Sequence, residues 1–167
     1  MMAAGSFRSR APTRTDAWSR RTFLRFATLS SGLALLPPIA GAQAAELAFA
    51  HVTTREAFKA AVRRALARRK PVLAYFTAEW CPICKSIDSR VFSNPVIKRR
   101  LERIALVRAD VTAADAGNRA LMEHLRVVGP PTMFVIDPKD GREMPGTRLT
   151  GAVDANLFLD TINLAGL

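Results

Sequence analysis

A chain of 167 residues holds one domain with a real core and does not comfortably hold two. Its formal net charge of +11, from 25 Lys+Arg against 14 Asp+Glu, raises nucleic acid as a partner to be tested against the pattern of those charges. Two cysteines in all exclude a four-cysteine zinc site.

Residues 1–17 are rich in Arg, Ser, Thr and Ala without apolar periodicity and read as disordered. Ser19 to Arg25 then carries Arg20, Arg21 and Arg25, and Phe26 to Ala42 is apolar or small and free of charge. With Ala42-Gln43-Ala44 closing it, this is the n-region, h-region and cleavage site of a secretory signal peptide. Arg20-Arg21 followed by Phe23-Leu24 resembles the twin-arginine signal of bacterial export. The uncharged run is interrupted by Gly32, Pro37, Pro38 and Gly41 and sits at the short edge for spanning a bilayer. Cleavage after Ala44 is therefore expected over retention as a membrane anchor. The expected division is 1–44 as n-region plus signal and 45–167 as a periplasmic domain.

Loss of residues 1–44 leaves 19 Lys+Arg against 13 Asp+Glu, a net charge of +6. The basic groups cluster as Arg63, Arg64, Arg68, Arg69 and Lys70, and as Lys98, Arg99, Arg100 and Arg103. Both clusters fall on solvent-facing helix positions with no aromatics between them. They read as a solvated basic face that steers acidic partners, so no nucleic acid is expected.

The remaining elements follow in order. Leu47 to Val52 reads as a short edge strand, and Thr53-Thr54-Arg55-Glu56 as a capping box with Thr53 as the cap. Phe58, Ala61, Val62, Ala65 and Leu66 recur at helical spacing and predict an amphipathic helix over 54–69. Pro71-Val72-Leu73-Ala74-Tyr75-Phe76 is a short apolar run typical of a buried strand. Ile83, Ile87, Val91 and Phe92 then mark a helix that Ser93-Asn94-Pro95 interrupts, with a second helical piece after it. A strand is expected over 104–111, a helix over 114–126 with Leu121, Met122 and Leu125 inward, and a loop at 127–131. An interior strand at 132–136, a turn at 137–141, a short strand at 148–151 and a helix at 154–164 complete the chain. Leu157, Phe158, Ile162 and Leu164 form the inner face of that last helix. This order predicts an α/β fold with a central mixed sheet of four to five strands.

The two cysteines stand three apart in Trp80-Cys81-Pro82-Ile83-Cys84-Lys85, where a strand ends and a helix begins. Unpaired N–H groups and the positive end of the helix dipole favour an anion there, which lowers the pKa of Cys81 and enlarges its thiolate fraction. Pro82 suits the first helical turn. Cys84, almost one turn further in, is placed to attack a mixed disulfide formed at Cys81 and release the partner. Haem attachment would need His where Lys85 stands.

Trp80-Cys81-x-x-Cys84-Lys85, the alternating elements and Gly129-Pro130-Pro131-Thr132 resemble the thioredoxin fold. More narrowly, residues 71 to 164 resemble the C-terminal periplasmic domain of the DsbD family of thiol:disulfide interchange proteins. The matching stretches are Ala78 to Cys81, Val91 to Pro95, Ala109 to Ala113, His124-Leu125 and Leu149 to Gly151. The resemblance implies Pro131 as the cis-proline opposite the redox pair, with Trp80, Pro130 and Pro131 contacting an extended substrate segment. Pro130 departs from the usual branched residue there and has a C=O but no N–H to offer. Where thioredoxins carry a buried Asp six residues before the first cysteine, this chain has Tyr75, which stays neutral at its ordinary pKa. Asp88, one turn after Cys84, is the candidate substitute base, against the alternative of an ordinary solvated carboxylate.

The resemblance implies a monomeric periplasmic protein-disulfide reductase. It would take electrons from a membrane thiol carrier and pass them to oxidised periplasmic proteins, with no cofactor beyond the Cys81–Cys84 disulfide and no metal. The alternatives are a disulfide oxidase or isomerase, and a copper(I)-handling module using the two thiolates.

Overall fold

Five strands form one mixed sheet in the order β1-β3-β2-β4-β5 in the computed structural model, which describes residues 46–167. The expected signal segment lies outside the described residues. β2 (Val72–Thr77) is buried at every position, as its apolar run predicts. It pairs in parallel with β3 (Ala105–Asp110) and antiparallel with β4 (Thr132–Ile136). β1 (Phe49–Val52) lies parallel to β3 at one edge, and the two-residue β5 (Leu149–Thr150) closes the other.

The helices are α1 (Arg55–Ala67), α2 (Pro82–Arg90), α3 (Pro95–Leu101), α4 (Ala116–His124) and α5 (Ala155–Leu164). Period-2 alternation along the strands divides the aromatics into two sets, one on each face of the sheet. Phe58 of α1, Phe76 and Phe134 form one, with ring centroids 6.3 and 6.2 Å apart. Phe49, Tyr75, Phe92 and Phe158 of α5 form the other, in edge-on or tilted contacts of 5.2 to 6.5 Å. α2 packs on this second face, since the Tyr75 hydroxyl reaches the carbonyl of its Cys84, and Phe92 just past its end lies 5.2 Å from Tyr75.

Three local expectations change. The cap of α1 is Thr54, whose hydroxyl accepts from the Ala57 N–H at 3.2 Å; Thr53 does not cap it. The Thr53 carbonyl is held by the Asn118 amide at 2.9 Å, which keeps Thr53 in the exit from β1 and leaves Thr54 to cap. In α5, Phe158, Thr161 and Ile162 are buried, whereas Leu157 and Leu164 are exposed. The buried stripe is narrower than the apolar pattern because Thr161 completes it. Ile83, which helical spacing groups with Ile87, Val91 and Phe92, is exposed beside the cysteines, whereas those three are buried.

Candidate active site

Everything chemical gathers at the end of the sheet where β2 and β3 terminate. Cys81 is the N-cap of α2, with extended backbone (φ −93°, ψ 102°), and its sulfur accepts the Cys84 N–H at 3.1 Å. Pro82 occupies the first turn, where no partner for its nitrogen is required. An amide aimed at Sγ at the positive end of a helix is the arrangement that stabilises a thiolate once the pair is reduced. Cys81 and Cys84 are disulfide-bonded, with Cα atoms 5.3 Å apart. Cys84 is the more deeply buried, at 1% exposure against 4% for Cys81.

The loop into α2 is anchored by the exit of β3. The Glu79 N–H donates to the Thr112 hydroxyl (2.9 Å) and the Trp80 indole N–H to the Thr112 carbonyl (3.2 Å). Thr112 is itself held by Asp110, whose Oδ1 accepts from its N–H and its hydroxyl. Trp80 thus presents a largely exposed ring with a fixed nitrogen. Sequence reasoning missed Thr112, because its grip spans more than thirty residues of chain.

The 127–131 loop reaches the same end, because Thr132 at the start of β4 pairs with Phe76 near the end of β2. Pro131 is buried, Pro130 half-buried, and the bond between them is cis. The Pro131 carbonyl accepts from the Gly151 N–H at 3.1 Å.

Behind the disulfide lies a cleft of about 270 Å³ lined by Cys84, Asp88, Arg108 and Asp110, among others. Tyr75 donates its hydroxyl to the Cys84 carbonyl at 3.3 Å. Burial pushes the Tyr75 phenol up to about 12, the charge of Asp88 adding to the push while Thr77 and Arg108 oppose it. It is neutral at any working pH. Asp88 borders the cleft as the sequence suggests, but its carboxylate is not simply solvated. Arg108 grips both oxygens, Nη1 to Oδ2 at 3.0 Å and Nη2 to Oδ1 at 2.7 Å. Arg108 is the second residue that sequence reasoning passed over. The available signal was a charge inside an otherwise apolar strand, Leu106-Val107-Arg108-Ala109. Lys85 and His124 are exposed.

Among the described residues no helix is long and apolar enough to cross a membrane, and no cluster of three or more His, Cys, Asp or Glu is placed to hold a metal ion.

The family model described as thioredoxin-like matches residues 53–138. The thiol:disulfide interchange protein DsbD of Pseudomonas fluorescens is 38% identical over 122 residues, 73% of this chain and 21% of that protein. DsbD of Escherichia coli K12 is 41% identical over 92 residues, 55% of this chain and 16% of that protein. The chain spans about a fifth or less of the length of these relatives. The oxidised C-terminal domain of Neisseria meningitidis DsbD matches with a TM-score of 0.60 at 31% identity, covering 69% of this chain and 98% of that domain. A thioredoxin from Thermus thermophilus matches with a TM-score of 0.59 at 26% identity, covering 72% and 89%. A family model over half the chain, and a solved domain matched almost end to end around the Cys81–Cys84 pair, together mean that the chain belongs to the thioredoxin-like family and carries a DsbD-related domain.

Proposed function

We propose that this chain is a thiol–disulfide oxidoreductase that reduces disulfides in exported proteins. The observation that carries the reading is the Cys81–Cys84 disulfide at the N-terminus of α2, with the Cys84 amide aimed at the Cys81 sulfur. In the reduced protein the Cys81 thiolate attacks one sulfur of a substrate disulfide. The substrate's other sulfur leaves as a thiolate and takes up a proton. Cys84 then gives its proton to a base and attacks the Cys81 sulfur. The Cys81–Cys84 disulfide forms, the bond to the substrate breaks, and two electrons have passed to the substrate. Asp88 is the base in this reading, one helical turn from Cys84 and lining the same cleft. A substrate strand would lie across Trp80 and the proline loop, where the Pro131 carbonyl is already used and that of Pro130 serves as acceptor. A membrane thiol carrier resets the pair.

The reducing direction is supported by the relationship to DsbD, named a thiol:disulfide interchange protein. Equilibration of the purified domain in dithiothreitol or glutathione buffers tests it. The expected potential lies nearer the thioredoxin end of the ~−270 to ~−120 mV range of thioredoxin-fold proteins. A value at the oxidising end would replace the reductase with an oxidase. The periplasmic setting is supported by Arg20-Arg21 and Ala42-Gln43-Ala44, and predicts a periplasmic protein whose N-terminus is Ala45. Recovery of the chain only as a cytoplasmic precursor would overturn that placement.

A further inference from the structure

Arg108 stands where a charge is unexpected. β3 runs between β1 and β2, and the register partners of Arg108 on either side are His51 and Tyr75. Strands flanked in this way on parallel neighbours are ordinarily apolar. The Arg108 side chain is nevertheless only 19% exposed, with its guanidinium carbon 4.6 Å from the Phe49 ring centroid and 5.2 Å from that of Tyr75. Its Nε is buried without a hydrogen-bond partner. What holds it is the fork of two bonds to Asp88.

The other titratable groups around the same cleft do not compete for this role. Asp110 is occupied by Thr112, and Tyr75 is neutral and bonded to the Cys84 carbonyl. His51, Glu79 and Lys85 line the cleft but form no ion pair with either Asp88 or Arg108 among the described residues. Lys98 and Glu46 line a neighbouring pocket with Asp88 and Arg108 but form no ion pair with either among the described residues, so at ion-pair distance the half-buried Asp88 has one counter-charge, and it comes from the strand beneath it.

We infer that Arg108 is a positioning residue for the thiol chemistry: it fixes the Asp88 carboxylate against the cleft that Cys84 lines and cancels its charge there. The inference rests on the reading of Cys81 and Cys84 as an exchange site. A lone carboxylate on the cleft that Cys84 lines disfavours ionisation of that thiol, and so works against the resolving nucleophile it is meant to assist. Paired with a guanidinium it no longer does so, while its remaining lone pairs stay available for the Cys84 proton. The planar fork suits this task; a lysine would supply the charge without the fixed geometry.

The test compares the parent full chain with Arg108→Met, Arg108→Lys, Asp88→Asn and the Asp88→Asn/Arg108→Met double variant, all reduced. The first readout is the rate of thiol alkylation against pH, which needs no substrate. Arg108→Met should move the Cys84 titration up by about one pH unit and Asp88→Asn should move it down, each leaving one charge uncancelled beside the thiol that lines their cleft. The double variant should return near the parent, and Arg108→Lys should fall between parent and Arg108→Met. The second readout is release of a model disulfide peptide from Cys81 in a single turnover. Asp88→Asn and the double variant should both slow it about 10²-fold, since both lack the base. If the single variants shift the titration in the same direction, or leave it unmoved while the thermal midpoint falls, Arg108 is only a brace and the inference fails. Should Arg108→Met not fold, Arg108→Gln and Asp88→Asn must still shift in opposite directions. A chain that titrates as expected but reduces no disulfide upholds the clamp and removes the exchange reading instead.

Discussion

Cys84→Ser is expected to halt the reaction at its midpoint and to leave partner proteins covalently attached to Cys81. The nucleophile keeps what activates it in this variant. Cys81 still caps α2, and the amide that points at its sulfur belongs to the backbone of position 84, so it survives the substitution. A serine hydroxyl cannot replace the resolving thiolate, so turnover should be lost entirely while mixed disulfides accumulate. Cys81→Ser should trap few partners, because the remaining sulfur is the more deeply buried of the two. Non-reducing electrophoresis of protein recovered from the two strains, with reduction by dithiothreitol as the control, makes the comparison. Faster alkylation of Cys84 than of Cys81 in the reduced parent would reverse the assignment.

The second large effect belongs to Tyr75 and appears at alkaline pH. Its folded pKa, pushed up to about 12 first by burial, lies above the ordinary value of 10.0. Below pH 10 the phenol is neutral in both folded and unfolded chains, and the stability it contributes is fully present. As pH rises from 10 toward 12 the unfolded chain releases that proton and the folded chain does not, so stability is lost across this window. Two units correspond to roughly 2–3 kcal/mol, on the order of a hundredfold in the folding equilibrium. Urea midpoints of the parent should therefore fall between pH 10 and 12 more steeply than those of Tyr75→Phe. Below pH 10 the Phe variant should be less stable by about 1 kcal/mol, having lost the bond to the Cys84 carbonyl. Tyr75 is the single tyrosine of the chain, so tyrosinate absorbance reports it alone. A folded-state midpoint near pH 10 would mean that burial does not govern this group. The same neutrality bears on function: a phenol that holds its proton cannot take one from Cys84, so Tyr75 does not replace Asp88 as the base in the proposed reaction.

Asp88 illustrates how far a helix can be read from its own residues. Its place one turn beyond Cys84 follows from spacing along α2 alone, since residues four apart share a face. Its ionic partner does not, because Arg108 lies twenty residues later on another element. The basic clusters behave in the opposite way. Arg63 and Arg64 on α1 and Arg99 and Arg100 on α3 are exposed as helical periodicity requires, whereas Lys98 is half-buried, and Arg68, Arg69, Lys70 and Arg103 are exposed past the ends of those helices.

What the chain determines by itself is everything carried by contacts within a few residues. The apolar run of β2, the capping position of Cys81, Pro82 in the first turn, and the break at Asn94-Pro95, where the Asn94 side chain caps α3, are all written in residues at most four positions apart. Periods of 2.0 and 3.6 encode those relations directly. Only the folded sheet decides which residues meet across it. The register of β2 on β3 pairs Tyr75 with Arg108 and brings Arg108 beneath α2, where Asp88 can reach it. The same sheet order places Thr112 under Trp80, and it holds Thr53 against Asn118 so that Thr54 becomes the cap. A period of two says which face a strand residue occupies, but not which residue of another strand stands beside it. That choice is made by packing over the whole core, and a shift of one position would turn Arg108 to the opposite face, away from Asp88.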